Sequence, residues 1–201
     1  MGSYLTIGEE TSIHYRVKDS RFIASLFPLT DESEASTLLA GVREEYPDAS
    51  HHVYALKLGV GEYTYRCSDD GEPAGSSGPP VERVLRGSEL TNVMIVVTRY
   101  FGGTKLGLGG LARAYSQAAI LVLEKADIVR RRSFKSLRID AGYQSVGPVL
   151  GLVEKRGRLE GVDYGQQGIT IRALVPEEEV SLLKGELRDV TGGEVRIGCF
   201  K

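Results

Sequence analysis

Arg99, Lys105 and Arg113 bracket a run of glycines, Gly102, Gly103, Gly107, Gly109 and Gly110. Cations beside backbone that carries no side chains can gather an anion. Glycine lets N–H groups approach a ligand, and a helix start adds about half a positive charge. The flanking pattern supplies the elements that would position them. Five apolar residues, Val93 to Val97, read as a strand buried on both faces, and apolar residues at helical spacing follow Gly109. The segment is therefore strand, glycine turn, helix start. A second reading assigns the glycines to a tight turn with close helix–strand packing, and pairs Arg99 and Arg113 with acidic neighbours. Neither phosphate-loop template fits: G-x-x-x-x-G-K-[ST] is absent, and Gly107-Leu108-Gly109 lacks the third glycine of the dinucleotide fingerprint.

Asp69, Asp70 and Glu72 cluster on a loop over residues 67–80 that is rich in glycine and proline. Carboxylates this close can act as acid and base, or tie the loop to the sheet by pairing with Arg99 and Arg113. Adjacent aspartates point apart, so no metal is assigned. Ser76 and Ser77 can serve as nucleophiles or anion ligands, but no Gly-x-Ser-x-Gly elbow surrounds them, and hydroxyls here also suit a helix cap ahead of Pro79-Pro80. His52 reads as a hydrogen-bonded structural residue. Cys67 has acidic neighbours, which oppose a reactive thiolate. Tyr100 and Phe101 offer rings for base stacking or for the core.

Between Arg99 and Arg138 nine cations, among them Arg130, Arg131 and Arg132, face only Glu124 and Asp127. That local excess stands on a chain of net charge −2, which exerts no global pull on nucleic acid. The 201 residues, 41% hydrophobic and 26% charged, suit one large or two small globular domains. No apolar run reaches the roughly 18 residues of a membrane span. The N-terminus lacks a secretory pattern, and two cysteines, Cys67 and Cys199, show no paired spacing. A reduced, cytoplasmic protein is expected, with oligomeric state unset.

Two strands are expected over 11–27, then a helix opened by Asp31 and Glu34 and closed by Pro47. A strand over 52–58, the long loop, a short helix from about Val81 to Leu85 and the buried strand come next. The helix from about Gly109 to Lys125 is apolar nearly all round and so must lie deep. A strand over 127–134 leads to a boundary near Phe134 to Ser136, giving domains 1–134 and 135–201. Beyond it the order is strand, helix, two strands joined at Gly165-Gln166-Gln167-Gly168, a helix from Pro176-Glu177, and a last strand. That βαββαβ order is the ferredoxin-like motif.

Three segments together resemble the IMPACT/YigZ family: Arg99-Tyr-Phe-Gly-Gly-Thr-Lys-Leu-Gly107 with Gly109-Gly-Leu-Ala-Arg-Ala-Tyr115, Ser68-Asp-Asp-Gly-Glu-Pro-Ala-Gly-Ser-Ser-Gly78, and Ser20-Arg-Phe-Ile-Ala24. The resemblance implies an α+β protein of two domains. The first is an α/β sandwich of the type shared by ribosomal proteins and GHMP kinases. The second is ferredoxin-like, similar to the closing domain of elongation factor G. Eukaryotic relatives regulate translation by competing for the activator of a starvation-responsive initiation-factor kinase, so the partners implied are RNA, the ribosome or a translation protein. No cofactor is implied. Ala74 replaces a common serine, and Pro79 occupies a position often basic in relatives. The alternative is an enzyme acting on a small phosphorylated or anionic substrate.

Overall fold

A computed structural model describes residues 2–199. They divide into two compact units, Tyr4–Arg131 and residues 132–199 with 2–3. The units part a few residues ahead of the expected boundary at 134–136, because the strand beginning at Phe134 already feeds the second core.

After β1 (Ser3–Ile7), the first unit runs β2 (Thr11–Val17), β3 (Ser20–Pro28), α1 (Glu32–Glu45), β4 (His51–Leu58), β5 (Thr64–Ser68), α2 (Gly78–Gly87), β6 (Val93–Tyr100), α3 (Leu108–Lys125) and β7 (Ile128–Arg132). Five of these strands form one sheet in the order β2-β3-β6-β4-β5, every neighbouring pair antiparallel. β6 lies at its centre and is buried on both faces. Ile95 and Val97 pack with Val81, Leu85, Leu111 and Tyr115 from α2 and α3, while Met94 and Val96 pack with Ala35 and Val42 from α1. A continuous apolar run usually marks a parallel strand; here helices on both faces of an antiparallel sheet impose the same demand. β1 and β7 form a separate two-stranded sheet.

Three local details differ from the sequence reading. β1 and β5, five residues each, are too short to stand out, and β5 takes Cys67 and Ser68 out of the expected loop. α2 begins at Gly78 instead of near Val81, since prolines at its first positions have no N–H to waste. At α1, Asp31 accepts from the Ser33 N–H, but Glu34 reaches back to Thr30 rather than to the cap residue.

The second unit orders β8 (Phe134–Ala141), α4 (Val146–Arg156), β9 (Arg158–Tyr164), β10 (Ile169–Pro176), α5 (Val180–Val190) and β11 (Arg196–Cys199). Its sheet order, β11-β8-β10-β9, is that of the ferredoxin-like fold. Leu137, Ile139 and Ile171 on the strands close against Val149, Val153, Leu183 and Leu187 on the helices. Glu177–Glu179 form a 3₁₀ turn before α5, so the helix opens one turn later than Pro176 suggested.

Candidate functional site

The glycine segment sits where β6 ends and α3 begins. Gly102 is obligatory there, because a Cβ would stand 2.0 Å from the carbonyl oxygen of Asp19 in the β2–β3 turn. The Thr104 hydroxyl donates to the Asp19 carboxylate at 2.7 Å and fastens the same contact. Gly107, at φ 72°, is the cap residue of α3 and offers no side chain, so the first N–H groups of the helix keep no side-chain acceptor.

Arg99 does not open onto solvent. It is 4% exposed, and its Nη1 donates to Glu72 Oε1 at 2.6 Å while Nη2 donates to Ser20 Oγ at 3.2 Å. Its guanidinium also lies within 6 Å of two ring centres, Phe22 at 5.6 Å and Phe101 at 5.4 Å. The Tyr115 hydroxyl donates to the same Glu72 oxygen at 2.7 Å, and His51 Nε2 stands 3.9 Å from the other. Burial and the Glu72 charge push the Tyr115 hydroxyl far above its ordinary range, so it remains a donor. Arg99 Nε alone in this network lacks a hydrogen-bond partner. Arg99 is thus a neutralised anchor, with the interior charge balanced by Glu72.

The neighbouring carboxylates are also engaged. Asp69 collects the Ser77 hydroxyl at 2.7 Å and the N–H groups of Gly75, Ser77 and Gly78 at 2.8 to 3.0 Å. Burial alone would raise its pKa, but these donors outweigh burial and hold it below the usual value. Asp70 accepts from the His52 N–H at 2.6 Å and from Arg43 at 2.5 Å. Among the described residues no group of His, Cys, Asp and Glu is arranged to hold a metal ion. Ser77 spends its hydroxyl on Asp69, and Ser76 is buried with its hydroxyl unpartnered, so neither is presented as a nucleophile. Burial, reinforced by Glu82, raises the Cys67 thiol to about 11. Burial likewise lowers His52.

Lys105 and Arg113 are exposed, and among the described residues no hydrogen bond or ion pair holds either. They serve two adjacent clefts that share Leu106. The smaller, about 360 Å³, is lined by Lys105, Phe101, Leu108, Pro73 and the Arg99–Glu72 pair. The larger, about 930 Å³ and open, takes Arg113 and Gln117 from α3, Arg83 from α2, and Tyr15 and Lys18 from the end of β2. Lys18 and Arg83 are exposed and, among the described residues, equally unpaired, and none of those that line this cleft is acidic. Sequence reasoning missed both, since they lie 95 and 30 residues before Arg113 and no local pattern ties either to it. Tyr115 and His51 were missed as partners of Glu72; Tyr115 reads from spacing as core, which it also is.

Arg130 and Arg131 lie elsewhere. They sit on β7 beside β1, and β1 bridges Leu90 and receives the Thr91 N–H on its Leu5 carbonyl at 3.0 Å. Leu90 and Thr91 precede the first residue of β6, whereas the glycine segment follows its last, roughly 20 Å along the strand. Arg132 belongs to the second unit. Arg130 and Arg131 do not extend the cations around Gly102–Gly110.

Residues 18–123 match the Impact N-terminal domain. Near-full-length similarity extends to an IMPACT family member of Haemophilus influenzae, 34% identical over 98% of this chain and 97% of that one. IMPACT family member YvyE of Bacillus subtilis is 31% identical over 96% and 88%, and IMPACT family member YigZ of Escherichia coli 30% over 98% of each. A crystal structure described as that of a hypothetical protein superposes with a TM-score of 0.77 at 28% identity, covering 100% of this chain and 98% of the other.

Proposed function

The chain belongs to the IMPACT family, and from that premise we propose that it is a translation-associated regulatory factor that binds RNA through the cations beside its glycine segment. One observation carries the reading. Lys18, Arg83 and Arg113 reach one open cleft from three separate elements, unpaired and with no acidic residue in the lining. Three cations left unpaired side by side repel one another, and a run of phosphates removes that cost while releasing counterions. Lys105 and the uncapped start of α3 continue the positive potential past Leu106. Arg99 takes a different part from the one first expected: it fixes the loop through Glu72 instead of touching phosphate. The role in translation follows from the family resemblance of the eukaryotic relatives, and the ribosome or a translation protein would present the RNA.

Filter binding of a short single-stranded RNA across about 50 to 200 mM salt tests this. The parent binds with a steep negative salt slope. Replacing Lys18, Arg83 and Arg113 together by Ala weakens binding and flattens the slope by about 2, at roughly 0.7 per phosphate contact. Arg86→Ala, which removes a cation already paired with Glu82, leaves the slope unchanged. A parent that fails to bind at low salt, or a triple variant that binds like the parent, overturns the reading.

The enzyme alternative finds less support in the geometry. Its acid and base candidates, Asp69, Asp70 and Glu72, each hold two or more protein donors already.

A further inference from the structure

The larger cleft holds more than cations. Tyr15 and Val17, which share one face of β2, line it together with Leu106, Ile120 and Leu121. Ile120 is 36% exposed there. Gln117 and Ser116 stand beside these groups, half-buried, and among the described residues neither side chain has a hydrogen-bond partner. A phosphate backbone suits the cations but none of these. Apolar surface gains nothing from a polyanion, and a free amide calls for an edge of donors and acceptors. A nucleobase offers both, an apolar ring face and a hydrogen-bonding edge.

We propose that the cleft takes single-stranded RNA with its bases turned inward, stacked on Tyr15, packed against Ile120 and met at the edge by Gln117. This rests on the RNA reading above and adds the form of RNA that the site selects. The spacing on α3 suits such a strand. Arg113, Gln117 and Ile120 follow one another at four and three residues, so they share a face. About 6 Å of helix rise separates the cation from the amide. Phosphate and base of one strand can therefore meet neighbouring positions. A duplex cannot use the same lining, because stacking and pairing already cover its base faces. A free mononucleotide brings a single phosphate to three cations that come from separate elements.

Fluorescence anisotropy of the full chain tests the assignment with three labelled RNAs: a short single strand, an abasic strand of the same length, and the first strand annealed to its complement. The base-bearing strand binds about tenfold more tightly than the abasic one, the scale of one stacked base. It also binds more tightly than the duplex, although the duplex carries twice the phosphates. Tyr15→Leu keeps an apolar side chain beside Phe22 but removes the ring. It lowers single-strand affinity about tenfold, while the salt slope, which counts phosphates, stays at the parent's value. Tyr15→Phe returns the ring and the affinity. Gln117→Ala with Ile120→Ala is a second route that leaves the β2 packing untouched, on a helix where alanine is favoured. This pair lowers single-strand affinity in the same way, again with the slope unchanged. The inference falls if the abasic strand or the duplex binds as tightly as the base-bearing strand. It falls equally if Tyr15→Leu or the α3 pair, with the parent's unfolding midpoint, binds that strand like the parent. Binding that ignores bases yet is lost in the Lys18, Arg83 and Arg113 variant removes this inference alone and leaves the RNA reading standing. Failure of all three probes at low salt removes both.

Discussion

At the scale of single residues, the acidic loop shows how one side chain can replace a whole capping motif. Ser77, the cap residue of α2, makes no side-chain cap of its own; Asp69, eight positions earlier, accepts the N–H groups that the helix start leaves free. Because the folded protein lowers the Asp69 pKa, its contribution is present above the ordinary carboxylate value of 3.8 and is lost as pH falls through the lowered one. Asp69→Asn removes the charge but keeps the shape. It should cost about 1–2 kcal/mol at neutral pH, the scale of a lost cap, and the difference from the parent should shrink below about pH 4. Urea denaturation of both proteins at pH 7 and at about pH 3 measures it; a gap that stays constant or widens on acidification contradicts the capping role. The sequence revealed the cluster Asp69, Asp70 and Glu72 but not this division of labour. Which carboxylate meets a cation depends on a fold that brings Arg99 and Tyr115, 27 and 43 residues beyond Glu72, to one oxygen.

At the scale of elements, long apolar patterns were legible and short polar ones were not. The apolar run Val93–Val97 and the all-round apolar helix after Gly109 declare a central strand and a buried helix, and both stand where expected. β1 and β5, five residues each, owe their existence to neighbours rather than to their own pattern. The glycine segment was legible as a turn into a helix, but not which glycine each contact requires. Gly102 and Gly109 make that contrast testable. A Cβ at Gly102 would collide with backbone at Asp19, and the chain there cannot yield without parting β3 from its turn. A Cβ at Gly109 meets only the flexible end of Arg113 at 3.5 Å, inside a helix where Ala is preferred by about 0.5–1 kcal/mol. Gly102→Ala should therefore lower the thermal midpoint by several degrees, and Gly109→Ala should hold or raise it. Equal midpoints for the two variants in calorimetry would remove the packing argument for Gly102.

At the scale of the whole molecule, a weakly acidic chain, net −2, must do any anion binding through local arrangement. The arrangement around α3 depends on the first core alone. Phe22, Ile95, Leu111 and Tyr115 belong to one cluster, and the second unit closes its own around Leu137, Ile139, Ile171 and Leu183. Two cores without shared members should unfold as separable units, each losing its own stability when a side chain is cut back. Ile171, fully buried on β10, is the probe: Ile171→Ala should cost about 2–5 kcal/mol within its own core. Hydrogen exchange should then accelerate in the strands and helices of 132–199 while protection of β6 and α3 stays at the parent's level. RNA retention should survive, since every residue assigned to it lies between Tyr15 and Leu121. Loss of protection along β6 in this variant would mean that the two cores unfold as one, and would move the control of the RNA cleft from the first unit to the whole chain.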